Sequence, residues 1–357
     1  MKSVNIRFRP VRVEAVDRVS KKTRLPKQIR VSVGSAMILR LLNARLDVAP
    51  TTVYLMTYRR GKCSANCGFC PQAKESRGRT DMLSRVSWPV YPTKLVLNEI
   101  SRGYERAEIK RVCFQALNYP EVFTHLTAFV NTIFEQAHMP ISVSCQPARR
   151  EDIVQLVSAG AERIGIPLDA AAKWVFNRIK GSSARGPYTW EKQFKLLNEA
   201  VDVFGKGKVS THLIVGLGET ERQMIKTIQD CVDMTVLPGL FAFTPIPGTA
   251  LAKEKRPPIE VYRRIQVARH LILHGVARYE DMSFDGKGFL TCFGVDGETL
   301  MKVIEAGEPF LTSGCLGCNR PFYNEKLSGP IYNYSRKLTE EELACIVNQL
   351  GFLVRER

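Results

Sequence analysis

The sequence has no apolar run long enough to cross a bilayer, and no apolar core follows its first residues, MKSVNIRFRP. Neither a transmembrane helix nor a secretion signal is expected, and the reading is a soluble protein of the cytoplasm with no membrane partner. It also lacks internal repeats and low-complexity tracts. Acidic residues are short: 35 Asp+Glu face 52 Lys+Arg, a formal net charge of +17. That imbalance favours an acidic partner, nucleic acid or protein, over which stands the plain alternative of a basic surface with no specific use. Basic residues gather at the start (Arg7, Arg9, Arg12, Arg18, Lys21, Lys22, Arg24, Lys27, Arg30), suggesting an adaptable arm. What is present is 357 residues with 45% hydrophobic content, enough for one large domain or two small ones. A single α/β barrel of about 250 residues with extensions fits.

From residue 53, short β-rich runs alternate with helical patterns. Strands are expected at 53–58, 110–116, 141–145, 162–168, 208–215, 239–244, 276–282 and 308–312. Helices are expected near 92–106, 120–137, 149–159, 189–204, 220–234, 258–274 and 296–306. In 149–159, Ile153, Leu156 and Val157 share a face and Gly160 ends the helix. In 220–234, Met224, Ile228, Cys231 and Val232 form one stripe, so Cys231 reads as core. A final helix at 339–350 opens with a capping box, Thr339 and Glu342, and leaves Cys345 off its apolar stripe. Strand–helix alternation means βαβ units and a parallel sheet, hence a TIM-like (βα)8 barrel or a partial (βα)6 one. The expected division is a basic N-terminal extension with a helix (1–48), the barrel (49–312) and a C-terminal cysteine-containing tail (313–357).

Of ten cysteines, five are single (Cys113, Cys145, Cys231, Cys292, Cys345), and five fall in two groups, Cys63/Cys67/Cys70 and Cys315/Cys318. Close spacing in a cytosolic protein favours metal over disulfide. The stretch Lys62-Cys63-Ser64-Ala65-Asn66-Cys67-Gly68-Phe69-Cys70-Pro71-Gln72 puts three thiols on a loop after a strand. A closed zinc site needs a fourth ligand, and no His or Cys lies between Cys70 and residue 90. That asymmetry favours a 4Fe–4S cluster with one open iron.

The CxxxCxxC spacing, with Phe69 before the third Cys, resembles the radical S-adenosylmethionine (SAM) superfamily, and Cys70-Pro71-Gln72-Ala73 resembles biotin synthase and its relatives more narrowly. The resemblance implies that Cys63, Cys67 and Cys70 hold the cluster and that its open iron binds the amino and carboxylate groups of SAM. Reductive cleavage of SAM then yields a 5′-deoxyadenosyl radical that removes hydrogen from an unactivated carbon. Other segments follow the family. Val215-Gly216-Leu217-Gly218-Glu219-Thr220 resembles its glycine turn beside the SAM adenine, and its Thr also suits a helix cap. Phe243-Thr244-Pro245-Ile246-Pro247-Gly248-Thr249 resembles the turn after strand six. Leu168-Asp169 matches the strand-four end, where the family keeps a carboxylate for the SAM ribose; an ordinary helix cap is the alternative. Phe114-Gln115-Ala116-Leu117-Asn118 resembles the biotin synthase strand-two exit, implying contact of Gln115 and Asn118 with SAM.

Biotin synthase also holds an internal 2Fe–2S cluster on strand cysteines and an arginine. Cys113 matches the first of these, but Ser142 and Ser210 stand at the other two positions, and no counterpart of the arginine appears near Arg278–Asp285. Cys145 reads as a small buried apolar residue. The second group, Ser313-Gly314-Cys315-Leu316-Gly317-Cys318-Asn319-Arg320, lies beyond the last expected strand, at the catalytic mouth. Cys315 and Cys318 are candidate ligands of an auxiliary iron–sulfur cluster that donates sulfur, with Cys292 as the first candidate for a third. A redox-active pair, or half of a zinc site shared with a partner chain, are the alternatives.

Such a pair on a biotin-synthase-like chain resembles one member of the archaeal two-protein lipoyl synthase. That resemblance implies sulfur insertion into a protein-bound octanoyl chain, with an octanoylated lipoyl-carrier domain, a second radical SAM subunit and an electron donor such as ferredoxin as partners. Competing readings are biotin-synthase-like sulfur insertion on a free small molecule and tRNA modification. No appended RNA-binding module accompanies the latter, and nucleic acid is not the expected partner. From a different class comes a non-catalytic, nucleic-acid-associated zinc protein using Cys63, Cys67 and Cys70 with Cys315 or Cys318.

Overall fold

Burial along the strands alternates where one face meets helices and the other an interior cavity. In the computed structural model, which describes residues 25–44, 46–315, 317–321, 323, 325 and 329–351, Val209, Thr211, Leu213 and Val215 are buried against helices. The intervening Ser210, His212 and Ile214 face inward onto the cavity. The strands are β1 (Gln28–Val31), β2 (Thr52–Met56), β3 (Met82–Leu83), β4 (Val86–Ser87), β5 (Val90–Pro92), β6 (Arg111–Gln115), β7 (Ile141–Ser144), β8 (Arg163–Gly165), β9 (Val209–Val215), β10 (Leu237–Ala242), β11 (Ser283–Phe284) and β12 (Leu290–Cys292). The helices are α1 (Val33–Ile38), α2 (Thr93–Glu105), α3 (Val122–Ala137), α4 (Arg150–Ser158), α5 (Lys173–Ile179), α6 (Trp190–Phe204), α7 (Glu221–Asp233), α8 (Ile259–Leu273), α9 (Gly297–Glu305) and α10 (Glu340–Leu350).

One eight-stranded sheet runs in the order β10-β9-β8-β7-β6-β2-β1-β5. The run from β2 to β10 is parallel throughout and joined by helical crossovers, which makes the barrel the partial, six-stranded version. The full (βα)8 alternative does not form. Its expected seventh strand, 276–282, instead contains a 3₁₀ turn at Tyr279–Asp281, because the Asp281 carboxylate accepts the Arg278 N–H at 2.8 Å and bends the chain locally. The expected eighth, 308–312, is a 3₁₀ turn at Glu308–Phe310, where Pro309 offers no N–H to a ladder. β11 and β12 pair only with each other, as an antiparallel hairpin outside the main sheet.

Residues 28–31, read from sequence as part of a separate extension, are a strand of the main sheet: β1 pairs antiparallel with both β2 and β5. Arg30 is buried there and donates to the Trp88 carbonyl at 2.7 Å, so it is no part of a free arm. The basic residues from Arg7 to Arg24 lie outside the described residues.

The expected helices form within two residues of their sequence bounds. Thr220 caps α7 through a capping box with Gln223, and Met224, Ile228 and Cys231 are fully buried. Thr339 and Glu342 cap α10 in the same way, and Cys345 is exposed. The tail is clamped to the barrel by Arg263 of α8. It is 1% exposed and donates to the carbonyls of Ile331 (2.5 Å) and Tyr332 (2.7 Å) and to Gln349 (3.0 Å). Among the described residues no helix is long and apolar enough to cross a membrane.

Candidate active site

The loop after β2 carries Cys63, Cys67 and Cys70, and it is held from three sides by backbone hydrogen bonds. Cys63 N–H donates to Gln72 O (2.9 Å) and Ser64 N–H to Asn118 O (2.8 Å); Gly68 N–H donates to Ile179 O (2.7 Å), and Leu251 N–H to Gly68 O (3.0 Å). The buried Gln72 side chain donates to the Thr80 and Met82 carbonyls, both at 2.6 Å. Farther along, Arg77 N–H donates to Gly248 O at 2.8 Å. Gly248 sits at φ +82, and a Cβ there would strike the backbone of Gly78, so this approach requires glycine.

The three thiols line one cavity of about 250 Å³ inside the barrel. Phe69, Gln115, Asn118 and Asp169 line it too, so the structure brings these sequence-predicted residues together with the thiols. Asn118 donates its N–H to Cys63 Sγ (3.1 Å) and its side-chain amide to the Tyr188 hydroxyl (2.7 Å). Asp169 adopts a left-handed backbone (φ 66), and its Oδ2 accepts from Lys180 Nζ at 2.6 Å. Lys180 is 1% exposed and also donates to Pro167 O at 2.8 Å. Asp169 caps no helix, since the N-cap of α5 is Ala172.

Gly216, Gly218, Glu219 and Thr220 are not on this cavity wall; they line a second one of about 370 Å³ with Arg256 and Lys287. Gly216 (φ +100) and Gly218 (φ +112) make the turn, and the Glu219 carboxylate closes it by accepting the N–H groups of Gly216 (2.7 Å) and Leu217 (3.0 Å). Burial raises the Glu219 pKa against the pull of those N–H groups. Pro247 is exposed, on the loop that carries Gly248.

Cys315 and Cys318 line the first cavity, together with Cys113. They enter from an unexpected side. The Cys63–Cys70 loop leaves the C-terminal ends of the strands, whereas the tail is tied to their N-terminal side: Asn319 Nδ2 donates to Ala49 O (2.9 Å), and Thr51 N–H to Asn319 Oδ1 (3.0 Å). The expectation of a Cys-x-x-Cys pair at the catalytic mouth is thus corrected, because the chain has no eighth strand to deliver it there. Cys292 is corrected as well. It is exposed on the β11–β12 hairpin, and its Sγ accepts only the Gly294 N–H, at 3.4 Å.

Several wall residues carry no sequence motif: Lys180, which follows α5, a helix too short and irregular to be read; Tyr188; His212; and Arg320. His212 was findable from its place on the inward face of β9 beside Ser210. Burial pushes its imidazole down to about 4, against the pull of Asp169, so the ring is neutral at pH 7. Arg320 stacks its guanidinium on the Phe241 ring, 4.0 Å from the centroid.

The donor set fits an iron–sulfur cluster. Burial raises the Cys67 thiol pKa, opposed by the positive charge of Lys180, and pushes Cys70 up to about 12, opposed by the N–H groups of Gln72 and Ala73. Such thiols ionise only when a metal supplies the missing positive charge. Among the described residues no three His, Cys, Asp or Glu side chains converge as ligands of one ion. Thiols spread around a cavity wall suit a group several ångströms across better than a single zinc ion.

Residues 60–231 match the profile of the radical SAM superfamily. The chain is 27% identical over 292 residues to a biotin synthase from Chlamydia pneumoniae, spanning 77% of this chain and 76% of that protein. It is 25% identical over 224 residues to a biotin synthase from Sulfurihydrogenibium sp. (strain YO3AOP1), spanning 60% of this chain and 62% of that one. The crystal structure of methylornithine synthase (PylB) is similar over 63% of both chains, with 13% identity and a TM-score of 0.49. With the thiol loop, the parallel half-barrel and the matched segment in agreement, residues 60–231 are a radical SAM domain, and the chain is a radical SAM enzyme related to biotin synthases.

Proposed function

We propose that this enzyme inserts sulfur into unactivated C–H bonds, as one subunit of a lipoyl synthase acting on a protein-bound octanoyl group. The observation that carries the reading is that two thiol groups, Cys63/Cys67/Cys70 and Cys315/Cys318, line one cavity from opposite ends of its strands. When bound, a cluster with SAM at the first group supplies a hydrogen-abstracting radical, and an auxiliary cluster at the second supplies sulfur. The chain's own residues do the rest. Gln115, Asn118 and the Asp169–Lys180 pair offer hydrogen bonds and charge for orienting SAM. Met56, Leu83, Trp88 and Phe243 form apolar wall that excludes water and suits an aliphatic chain. The neutral His212 adds a polar group without a charge. A net charge of +17 favours an acidic carrier domain as partner, with a second radical SAM subunit and a ferredoxin-like electron donor completing the system.

The second reading, sulfur insertion on a free small molecule, is favoured by the biotin synthase relatives. One experiment separates the two. Reconstituted protein is incubated anaerobically with SAM, reductant and either octanoylated carrier domain, free octanoate or dethiobiotin, with and without the candidate partner subunit, and products are read by mass spectrometry. Thiolated carrier, with an advantage over free octanoate that shrinks as ionic strength passes about 0.15 M, is the expected result. Thiolated dethiobiotin with an untouched carrier overturns it.

A further inference from the structure

The register of the sheet puts one inward-facing row across three strands: Tyr54 of β2 is opposite Cys113 of β6, and Cys113 is opposite Ser142 of β7. Neighbouring strands lie about 4.8 Å apart, so Tyr54 and Ser142 flank Cys113 closely on its two sides. The tail contacts both flanking residues through sulfur. Cys318 Sγ is 2.9 Å from the Tyr54 hydroxyl, and Cys315 Sγ is 3.5 Å from Ser142 Oγ. Two tail thiols therefore sit over the neighbours of a strand thiol, and all three line the same cavity.

This segment of the tail is fastened rather than loosely laid. Cys318 N–H donates to Cys315 O (2.9 Å), closing the turn between the two thiols. Ser313 Oγ accepts the Leu240 N–H at 2.7 Å, Thr312 Oγ1 donates to Asn319 O at 2.9 Å, and Arg320 donates to Ser313 O at 3.1 Å. Arg320 brings a cation to the same wall, on the faces of Phe241 and Tyr323. Ser142 is itself fixed, as acceptor of a 2.8 Å bond from the buried Arg111. Burial raises the Cys113 pKa, and so does the proximity of Cys315 and Cys318. Three soft sulfur donors, one nearby cation and no carboxylate or imidazole in contact with them describe a thiolate-bound iron–sulfur cluster.

We infer that Cys113, Cys315 and Cys318 are the ligands of the auxiliary iron–sulfur cluster, with Arg320 as its neutralising neighbour, and that Cys292 is not a ligand. The ligand set rests on the sulfur-insertion reading for its use but not for its existence, which iron binding alone can test. The site lies in the row of Cys113, two residues before the strand end at Gln115, which is roughly 7 Å along the strand. The substrate carbon then has room between the SAM end of the cavity and the sulfur end.

The test uses the full chain with Cys63, Cys67 and Cys70 all replaced by Ala, so that only the second site binds iron. After anaerobic reconstitution, iron and acid-labile sulfide are counted and the Mössbauer spectrum recorded. A remaining cluster is expected, and it should be lost on adding Cys113→Ser, Cys315→Ser or Cys318→Ser, and kept on adding Cys292→Ser. Because serine at any one position could unfold the tail, each single variant is also made with the first thiol group intact. There it should lose about half of the iron while its remaining cluster still gives an EPR signal that SAM perturbs. Cluster retained in the Cys113→Ser background, cluster lost in the Cys292→Ser background, or no iron at all in the triple variant overturns the assignment. An intact second cluster with no sulfur transfer to any substrate would instead refute the sulfur-insertion reading and leave the ligand set standing.

Discussion

Lys180→Met tests the electrostatic centre of the cavity. Lys180 is 1% exposed and Asp169 7%, and the 2.6 Å contact between them is the neutralising partner of the Asp169 carboxylate on this wall. Removing one member of a buried ion pair leaves the other charge without compensation, which costs about 3–5 kcal/mol. Against a total stability on the order of 5–15 kcal/mol, that is a large fraction. Replacing both members costs far less, because no charge stays buried. Asn suits position 169, since it tolerates the left-handed backbone found there. Urea unfolding of the apo chain, followed by far-ultraviolet circular dichroism under anaerobic conditions, should rank parent first, then Lys180→Met/Asp169→Asn within about 2 kcal/mol, then Lys180→Met alone. A single variant within about 1 kcal/mol of the parent would show that Asp169 reaches water. Equal losses in the single and double variants would show that packing, not charge, is what Lys180 supplies.

Replacing Cys63, Cys67 or Cys70 with Ala should abolish SAM cleavage and leave the circular dichroism spectrum unchanged, because backbone bonds rather than the thiols anchor their loop; normal 5′-deoxyadenosine output would overturn the cluster assignment. Gly248→Val should force the Gly78 backbone aside and loosen the thiol loop, so that iron incorporated per chain falls by about half or more, and full incorporation would refute the close approach. With His212 held down at about 4 by burial and an unfolded value near 6.5, the unfolded chain binds the proton first as pH falls. Stability present above pH 6.5 is therefore lost down to about pH 4, by up to about 3 kcal/mol, and His270, also at about 4 through burial and the neighbouring His274, adds a similar slope. His212→Asn should roughly halve the slope measured by urea midpoints across that window; an unchanged slope would mean that the ring is hydrated.

The elements that could be read from the sequence are those governed by local physics. Hydrophobic periodicity located the helices from α2 to α10 except α5, whose seven residues are too few to establish a period. The first thiol group was legible because its three cysteines lie within eight residues of one another on one loop, where spacing itself brings ligands together. Strand number was not legible. Segments 276–282 and 308–312 have strand-like composition, but a side-chain cap at Asp281 and the missing N–H of Pro309 turn them into 3₁₀ turns. The second site was legible only in part. Cys113 stands about two hundred residues before Cys315 and Cys318, and no local pattern links them. Their meeting depends on sheet register, which sets Cys113 between Tyr54 and Ser142, and on a tail that crosses the N-terminal side of the barrel. The same spacing put Cys292 nearer to Cys315 in the chain, yet the hairpin turns it to solvent. Nearness in sequence determines a ligand set only while it lies on one loop; once strands intervene, register and packing determine which side chains share a space.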